Sequence, residues 1–392
     1  MASGDSPRIV HVIHSLEGGG TERTLVSLLQ AFDPLRFRHA VVTLRRAGSL
    51  AKELPDHVAC RALGVRGASR RIWLDLALVL REWRATVVHA RNPGCWFDAT
   101  MASLAAPGLQ LVLGFHGLET TGALKRRQRW VARLARFSGA RFSSVSECGR
   151  HQLHAWTGVP PERIDVLRNG IDVDRYRDSD SNARRRIRES LHVDADAFVV
   201  GTVGSLTPVK CQEVLIRACV GARQKHPNLH LLVVGDGPLR PSLEREALKA
   251  GVVDRVHFTG WREDVPALLS GMDAYVCSSA SEGMCNAVLE AMASGLPIIA
   301  TKVGDNPLIV RNEIEGRIVP PNDPDAMANA LSQLVSRIEL RNQYAAAAKA
   351  RADNYHFGQT VEAYEAYYEA HARAPGAAAG DAGRNCPSPQ PT

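Results

Sequence analysis

Two carboxylates, Glu282 and Glu290, stand eight positions apart in the stretch SEGMCNAVLEAMASGLP, residues 281–297, with mostly small or apolar residues between them. One apolar run ends at Cys277 and another begins at Pro297, so the pattern predicts the strand, turn and helix of a βαβ unit. Such a turn leaves Glu282 and the backbone amides of Gly283, Met284, Cys285 and Asn286 facing outward at the carboxyl end of a strand, where open α/β sheets bind ligands. Glu290 falls early in the helix, and the free N–H groups of a helix start attract an anion. Carboxylates accept hydrogen bonds from hydroxyls and amides donate to phosphate, so a ligand that is sugar at one end and phosphate at the other satisfies both. Taken alone, two acids at this spacing are more often a solvated helix face, so the flanking residues decide.

The flanking residues run on as SGLPIIATKVG, and the whole resembles the donor site of the retaining, GT-B-fold glycosyltransferases of family 4, whose hallmark is Glu, seven residues, Glu. The resemblance implies that Glu282 contacts the transferred sugar and Glu290 holds the nucleotide ribose. It also implies that the amides between them meet sugar and phosphate.

Other stretches carry matching chemistry. In AFVVGTVGSLTPVKCQEVLIRA, residues 197–218, a strand is followed by a turn containing Gly204, then Lys210, then a helix. That is a phosphate-cradling order, although without Gly-Lys-Ser/Thr it is not a Walker A loop. A lysine there neutralises the charge that grows on a diphosphate leaving group. The family usually has Arg where Ser205 stands, which removes one cation from the expected clamp. His257 and Phe258, in DRVHFTGW, resemble the segment whose backbone grips the nucleobase. Asp305 and Leu308 stand where the family frequently has Gly and Glu, which would alter donor contacts.

RIVHVIH leads into Gly18, Gly19 and Gly20 and then an amphipathic helix. A dinucleotide site would need Gly where Arg23 stands and an acid near residue 40, so a nicotinamide cofactor is not expected. The resemblance implies instead that this turn, with Glu22, borders the acceptor pocket and the donor phosphates. His116 closes the strand LQLVLGFHG. A histidine so placed is commonly structural, whereas the family has one in a comparable His-Gly segment close to the sugar. Asn169-Gly170-Ile171-Asp172 resembles the segment closing the family's first domain. Asp172-Val173-Asp174 spells DxD, but that pattern recurs at 194–196 and 323–325, so it is read as loop structure and no metal is expected.

These residues must be positioned by strands alternating with helix-length segments, which implies parallel doubly wound sheets. At 392 residues the chain exceeds one core. The expected class is α/β of GT-B type, two Rossmann-like domains facing across a cleft. The division expected is an acceptor-side domain at 1–178, a linker at 179–196 and a nucleotide-sugar domain at 197–355. A helix at 356–373 crosses back to the first domain, and a low-complexity, disordered tail follows at 374–392. Eight cysteines without a CxxC pair suggest reduced thiols rather than a structural zinc site. Cys148, His151 and His154 have tempting spacing but lack a fourth ligand. The start MASGDSPR lacks a signal-like apolar core and no run is long enough to span a bilayer, so a cytoplasmic location is expected.

A net charge of +7 favours anionic partners. LKRRQRWVARLARF, residues 124–137, carries six basic residues, with Leu124, Trp130, Val131, Leu134 and Phe137 roughly along one face. Such a helix either lies on anionic lipid at the inner face of a membrane or packs on its own domain. The Arg184–Arg186 cluster reads as a solvated face, and no nucleic acid partner is expected.

Together these features imply transfer of a hexose-type sugar from a UDP- or GDP-sugar to a glycan or lipid-linked acceptor in cell-surface polysaccharide assembly, without cofactor or metal. His116, Lys210 and Glu282 would act at the reacting face. Two rivals are a degenerate GT-B protein that binds lipid or nucleic acid, suggested by Ser205 and Leu308, and another sugar-nucleotide enzyme such as an epimerase.

Overall fold

The computed structural model describes residues 6–64, 71–117, 124–177 and 182–372, so the tail expected from residue 374 lies outside the described residues. Short strands form two all-parallel sheets; most are Val-, Ile- and Leu-rich and buried on both sides, as when helices cover either face, whereas the edge strand Ala59–Ala62 is largely exposed. The first sheet contains β1 (Arg8–Ile13), β2 (Arg38–Thr43), β3 (Ala59–Ala62), β4 (Val87–Ala90), β5 (Gln110–Phe115), β6 (Arg141–Ser144) and β7 (Ile164–Val166). Their order is β3-β2-β1-β4-β5-β6-β7. The second contains β8 (Phe198–Val203), β9 (Leu229–Val234), β10 (Val256–Gly260), β11 (Ala274–Cys277), β12 (Ile298–Thr301) and β13 (Gly316–Val319), ordered β10-β9-β8-β11-β12-β13. In both, the chain runs outward from a central strand in one direction and then in the other. A crevice therefore opens beyond the carboxyl ends of β1 and β4, and beyond those of β8 and β11. These are two Rossmann-like domains, the class expected.

Side-chain alternation divides each core in two. In β1, Val10 and Val12 pack with Val88 and Leu113 on one face, and Ile9 and Ile13 with Val87 and Val112 on the other. The second sheet repeats this, with Val199, Leu232 and Cys277 on one side and Val200, Leu231 and Val276 on the other.

One device ties the halves together and another anchors the connecting helix to the second domain. The helix Phe357–His371 buries Val361, Tyr364, Tyr367 and Tyr368 against the first sheet. Beneath it lies a cluster of histidines, His11 on β1 opposite His89 on β4, and His39 on β2 two residues out of register, opposite Ile9. His11 Nε2 and His39 Nδ1 are 3.1 Å apart, and His89 Nδ1 is 2.9 Å from the Tyr368 hydroxyl. Burial, reinforced by neighbouring positive charges, pushes His39 down to about 3 and holds His11 and His89 well below the ordinary range. All three are therefore neutral. At the entrance to the second domain, the helix Ala183–Ser190 presents Arg188, 4% exposed. Its guanidinium bonds Asp273 Oδ2 at 2.5 Å and the Ala197 carbonyl at 2.8 Å.

Helix ends follow local chemistry. The Asp323 carboxylate accepts the Ala326 amide at 2.9 Å and caps the helix Pro324–Ser336. One expectation needs correcting. The basic helix Arg126–Phe137 does not gather its apolar residues on one face. Val131 turns inward with Ala132 and Ala135, while Trp130, Leu134 and Phe137 face solvent, 58%, 41% and 79% exposed. At 100° per residue, positions 130, 134 and 137 cluster about a quarter-turn or more away from 131, 132 and 135, and alanines suffice on the side against the domain. Among the described residues no helix is long and apolar enough to cross a membrane.

Candidate active site

β11 delivers the first carboxylate. Beyond Cys277, the Ser278 hydroxyl donates to the Lys210 carbonyl at 2.8 Å and the Ala280 amide to the Val209 carbonyl, also at 2.8 Å. These bonds lay the loop after β8 against the end of β11. The Lys210 ammonium consequently sits 2.6 Å from Glu282 Oε1, and the Ser279 hydroxyl donates to the same oxygen at 2.5 Å. Burial disfavours the Lys210 charge, yet the Glu282 carboxylate more than offsets it and the group titrates above the ordinary lysine range. The lysine is thus a permanent cation, and its stem passes within 4.0 Å of where a Cβ on Gly204 would stand. A small cavity of about 10 Å³ adjoins the pair, lined by Thr202, Gln212, Tyr275, Cys277 and Cys285 among others. A larger hollow of about 410 Å³, lined by Arg184, Arg188 and Val193, lies by the connecting helix near Asp273, at the opposite end of β11, and has no part in this chemistry.

Several contacts among the described residues cross from one domain to the other around this point. A Cβ on Gly283 would lie 3.0 Å from the His116 carbonyl oxygen, and one on Gly117 would lie 3.3 Å from the Gly283 amide nitrogen. The two backbones therefore approach as closely as glycine alone permits. Asp305 accepts the amides of Glu147 at 2.9 Å and Cys148 at 2.8 Å, capping the helix Glu147–Thr157 of the first domain. Asn169 Nδ2 donates to Asn286 Oδ1 at 3.0 Å. Arg23, in the first turn after the glycine segment, lies over the Trp261 ring at 5.6 Å.

The structure therefore brings Lys210, Glu282 and Gly283 together, with the His116 backbone against Gly283. Burial first, then the charge of Arg91, keeps His116 far below its ordinary value, so its imidazole is neutral. The helix Asn286–Ala293 begins just past Cys285, where among the described residues no side chain caps it. Met284 and Cys285 are 8% and 6% exposed and join the core, and Cys285 also lines the small cavity beside Glu282.

Other expected residues lie further out. Glu290 stands in the second turn of that helix, its carboxylate bonded by the Tyr176 hydroxyl near Arg175 rather than joined to Glu282. Burial pushes it above the usual carboxylate range, while those two partners pull the other way. His257 stacks on His230, with ring centroids 5.3 Å apart and His257 Nε2 3.0 Å from His230 Nδ1. Phe258 packs partly buried against the core of the second domain, and Ser205 is exposed. Gly18 adopts φ +114°, a left-handed turn into the helix Gly20–Ala31, and the Glu22 side chain folds back over Gly19, where a Cβ would lie 2.3 Å from its carboxylate. Asp172 accepts the Arg175 amide at 3.2 Å and so serves as loop structure.

Sequence reasoning missed Asp305 as a bridge between domains, although its departure from glycine was visible. It also passed over the Cys277–Cys285 pair, whose sulfurs are 4.0 Å apart.

Residues 183–351 match the family model of the glycosyl transferases group 1, and residues 18–175 match that of glycosyltransferase family 4. A UDP-Gal:α-D-GlcNAc-diphosphoundecaprenol α-1,3-galactosyltransferase of Escherichia coli is 31% identical over 77% of this chain and 82% of its own length. The chain belongs to glycosyltransferase family 4. Within the family, it is also 34% identical to a D-inositol 3-phosphate glycosyltransferase of Salinispora tropica over 52% of this chain. That match, like those to two further enzymes of the same name, spans about half of the relative's length, 45% to 51%. Among solved structures, Anabaena HepE in complex with UDP superposes with a TM-score of 0.81 at 21% identity, covering 93% of this chain and all of that one. A Rickettsia africae glycosyltransferase superposes at 0.82 with 18% identity, covering 93% of this chain and 99% of the other. These likenesses establish the GT-B fold.

Proposed function

We propose that this chain moves a hexose-type sugar from a nucleoside diphosphate sugar to a glycan or lipid-linked acceptor, with retention of configuration and without a metal. The observation that carries the proposal is the Lys210–Glu282 pair, 2.6 Å apart where the backbones of the two domains meet. Lys210, with the uncapped start of the helix Asn286–Ala293 and the turn at Gly204 and Ser205, receives the diphosphate as its charge grows. Glu282 orients the sugar hydroxyls, Glu290 with Tyr176 takes the ribose, and the backbone at His257 and Phe258 takes the base. The sugar C1–O bond to phosphate breaks, a C1–O bond to the acceptor forms on the same face, and the leaving diphosphate receives the acceptor's proton. His116, neutral, lines that face without charge, so it does not oppose the positive charge developing on the ring.

On this reading residues 1–178 hold the acceptor, with Gly18, Gly19, Gly20 and Glu22 at its border. Residues 197–355 hold the donor, and the helix within 356–373 keeps the halves in register. The UDP and UDP-glucose held by HepE, and the UDP-Gal and diphosphoundecaprenol in the name of the E. coli relative, support a UDP-sugar and a lipid-linked acceptor in cell-surface polysaccharide assembly. The outward stripe of Trp130, Leu134 and Phe137, flanked by arginines, supports peripheral docking on an anionic membrane from the cytoplasmic side.

The test is transfer of labelled sugar, with the anomeric configuration of the product read by NMR. Glu282→Ala should lower turnover about 100-fold, the size seen when one transition-state contact is lost. Equal turnover would remove its assigned role. Sugar conversion without any acceptor would favour an epimerase, and salt-sensitive vesicle binding without any transfer would favour a binding module.

A further inference from the structure

We infer that Cys277, Cys285 and Glu282 form a site for one thiophilic divalent cation of the zinc class, and that its occupancy excludes the donor sugar. The second half of this inference rests on the donor role proposed for Glu282. The two sulfurs and a carboxylate oxygen lie within 4.8 Å of one another. Cys277 Sγ is 4.0 Å from Cys285 Sγ and 3.9 Å from Glu282 Oε1. Two sulfurs on one tetrahedral zinc, at about 2.3 Å each, are about 3.8 Å apart, so the ligands already hold nearly the spacing a bound ion needs. A disulfide, at about 2.05 Å, would require both sulfurs to move much further.

The surroundings fit as well. The cavity of about 10 Å³ lined by Lys210, Glu282 and both cysteines admits one small ion. Asn306 Nδ2 lies 3.6 Å from Cys277 Sγ, a donor that orients and stabilises a thiolate ligand. Binding releases the two thiol protons. Two thiolates and a carboxylate then carry one more negative charge than the ion neutralises, and Lys210 balances the remainder from 2.6 Å. Three protein ligands leave the fourth position to water or substrate, the pattern of an open rather than a closed zinc site. Once ligated, Glu282 can no longer turn to a sugar hydroxyl. Zinc should therefore act as a reversible inhibitor, not as a participant in the reaction.

The test titrates reduced, chelator-stripped full-length protein with Co²⁺ and then Zn²⁺. One Co²⁺ per chain should bind with a thiolate-to-cobalt charge-transfer band that Zn²⁺ displaces. The band should vanish in Cys277→Ser and in Cys285→Ser and survive in Cys60→Ser. Should a serine variant not fold, zinc-edge X-ray absorption on the wild type must show two sulfur neighbours. No band, a band that persists in the double serine variant, or fewer than two sulfurs overturns the site. The zinc-loaded protein should also lose its thermal stabilisation by UDP-sugar and regain it on chelation; stabilisation unchanged by zinc overturns the exclusion. If the stripped protein gains no stability from any nucleotide sugar, the donor reading fails while the metal titration still decides the site.

Discussion

Replacing Asp305 by alanine would test how the two domains are held around the site. Its carboxylate, 3% exposed, accepts the first two amides of the helix Glu147–Thr157, at 2.9 and 2.8 Å, from the other domain. Burial pushes Asp305 above the usual carboxylate range, and the two backbone N–H bonds offset part of that, so the contact is worth less than its geometry alone suggests. A capping side chain contributes about 0.5–2 kcal/mol, and a charge at a helix amino terminus about 0.3–1 kcal/mol. Together these give about 2 kcal/mol, or roughly 30-fold in the equilibrium that frees those amides. Hydrogen exchange read at single-amide resolution should show Glu147 and Cys148 exchanging about 30-fold faster in Asp305→Ala. The Gly149 amide provides an internal control, because it is held at 3.0 Å by the Ser146 hydroxyl of its own domain. Asp305→Asn keeps one accepting oxygen and should release only one of the two amides. If all three amides speed up together, or none does, the reasoning about a local bridge between domains is refuted.

Two further predictions concern stability. The cluster His11, His39 and His89 is neutral in the fold, with His39 pushed down to about 3, whereas each histidine titrates at 6.5 when unfolded. Between those values the unfolded chain binds more protons, so stability is full above pH ~6.5 and is lost as pH falls toward about 3. At pH 5.5 the loss is about 1.4 kcal/mol for each histidine. The thermal midpoint should fall between pH 7.5 and 5.5, and fall less steeply in His39→Asn; a midpoint flat over that range would contradict the burial argument. Asp273→Ala leaves the buried Arg188 guanidinium without its carboxylate and should destabilise the second domain by about 3–5 kcal/mol in urea unfolding. A loss under ~1 kcal/mol would show that the surrounding carbonyls suffice.

Much of the architecture was legible because the information is local. Unbroken Val and Ile runs mark buried parallel strands, and the glycine turns at Gly18–Gly20 and Gly204 mark where the chain leaves them. Lys210 and Glu282, 72 residues apart, could be joined only through resemblance, since their 2.6 Å contact depends on β8 and β11 being neighbours in the sheet. The Asp305 bridge joins residues 158 and 157 positions apart, and no periodicity reveals it. The histidine cluster was hidden for a similar reason: each residue sits singly in an apolar strand, and only the pairing of β2, β1 and β4 gathers them on one face. The basic helix misled because apolar residues spaced for one face were in fact shared between the domain and the solvent.

Donor binding by the reacting pair is the most direct measurement. Thermal stabilisation by a panel of UDP- and GDP-sugars is read for the wild type, Lys210→Met, Glu282→Gln and the double variant. With ligand at 100 times its dissociation constant the wild type should gain about 2.7 kcal/mol. Each single variant should lose most of that gain, and the double variant should lose little more than either, because the two side chains act on one bound sugar diphosphate. A double variant stabilised as strongly as the wild type would contradict the account.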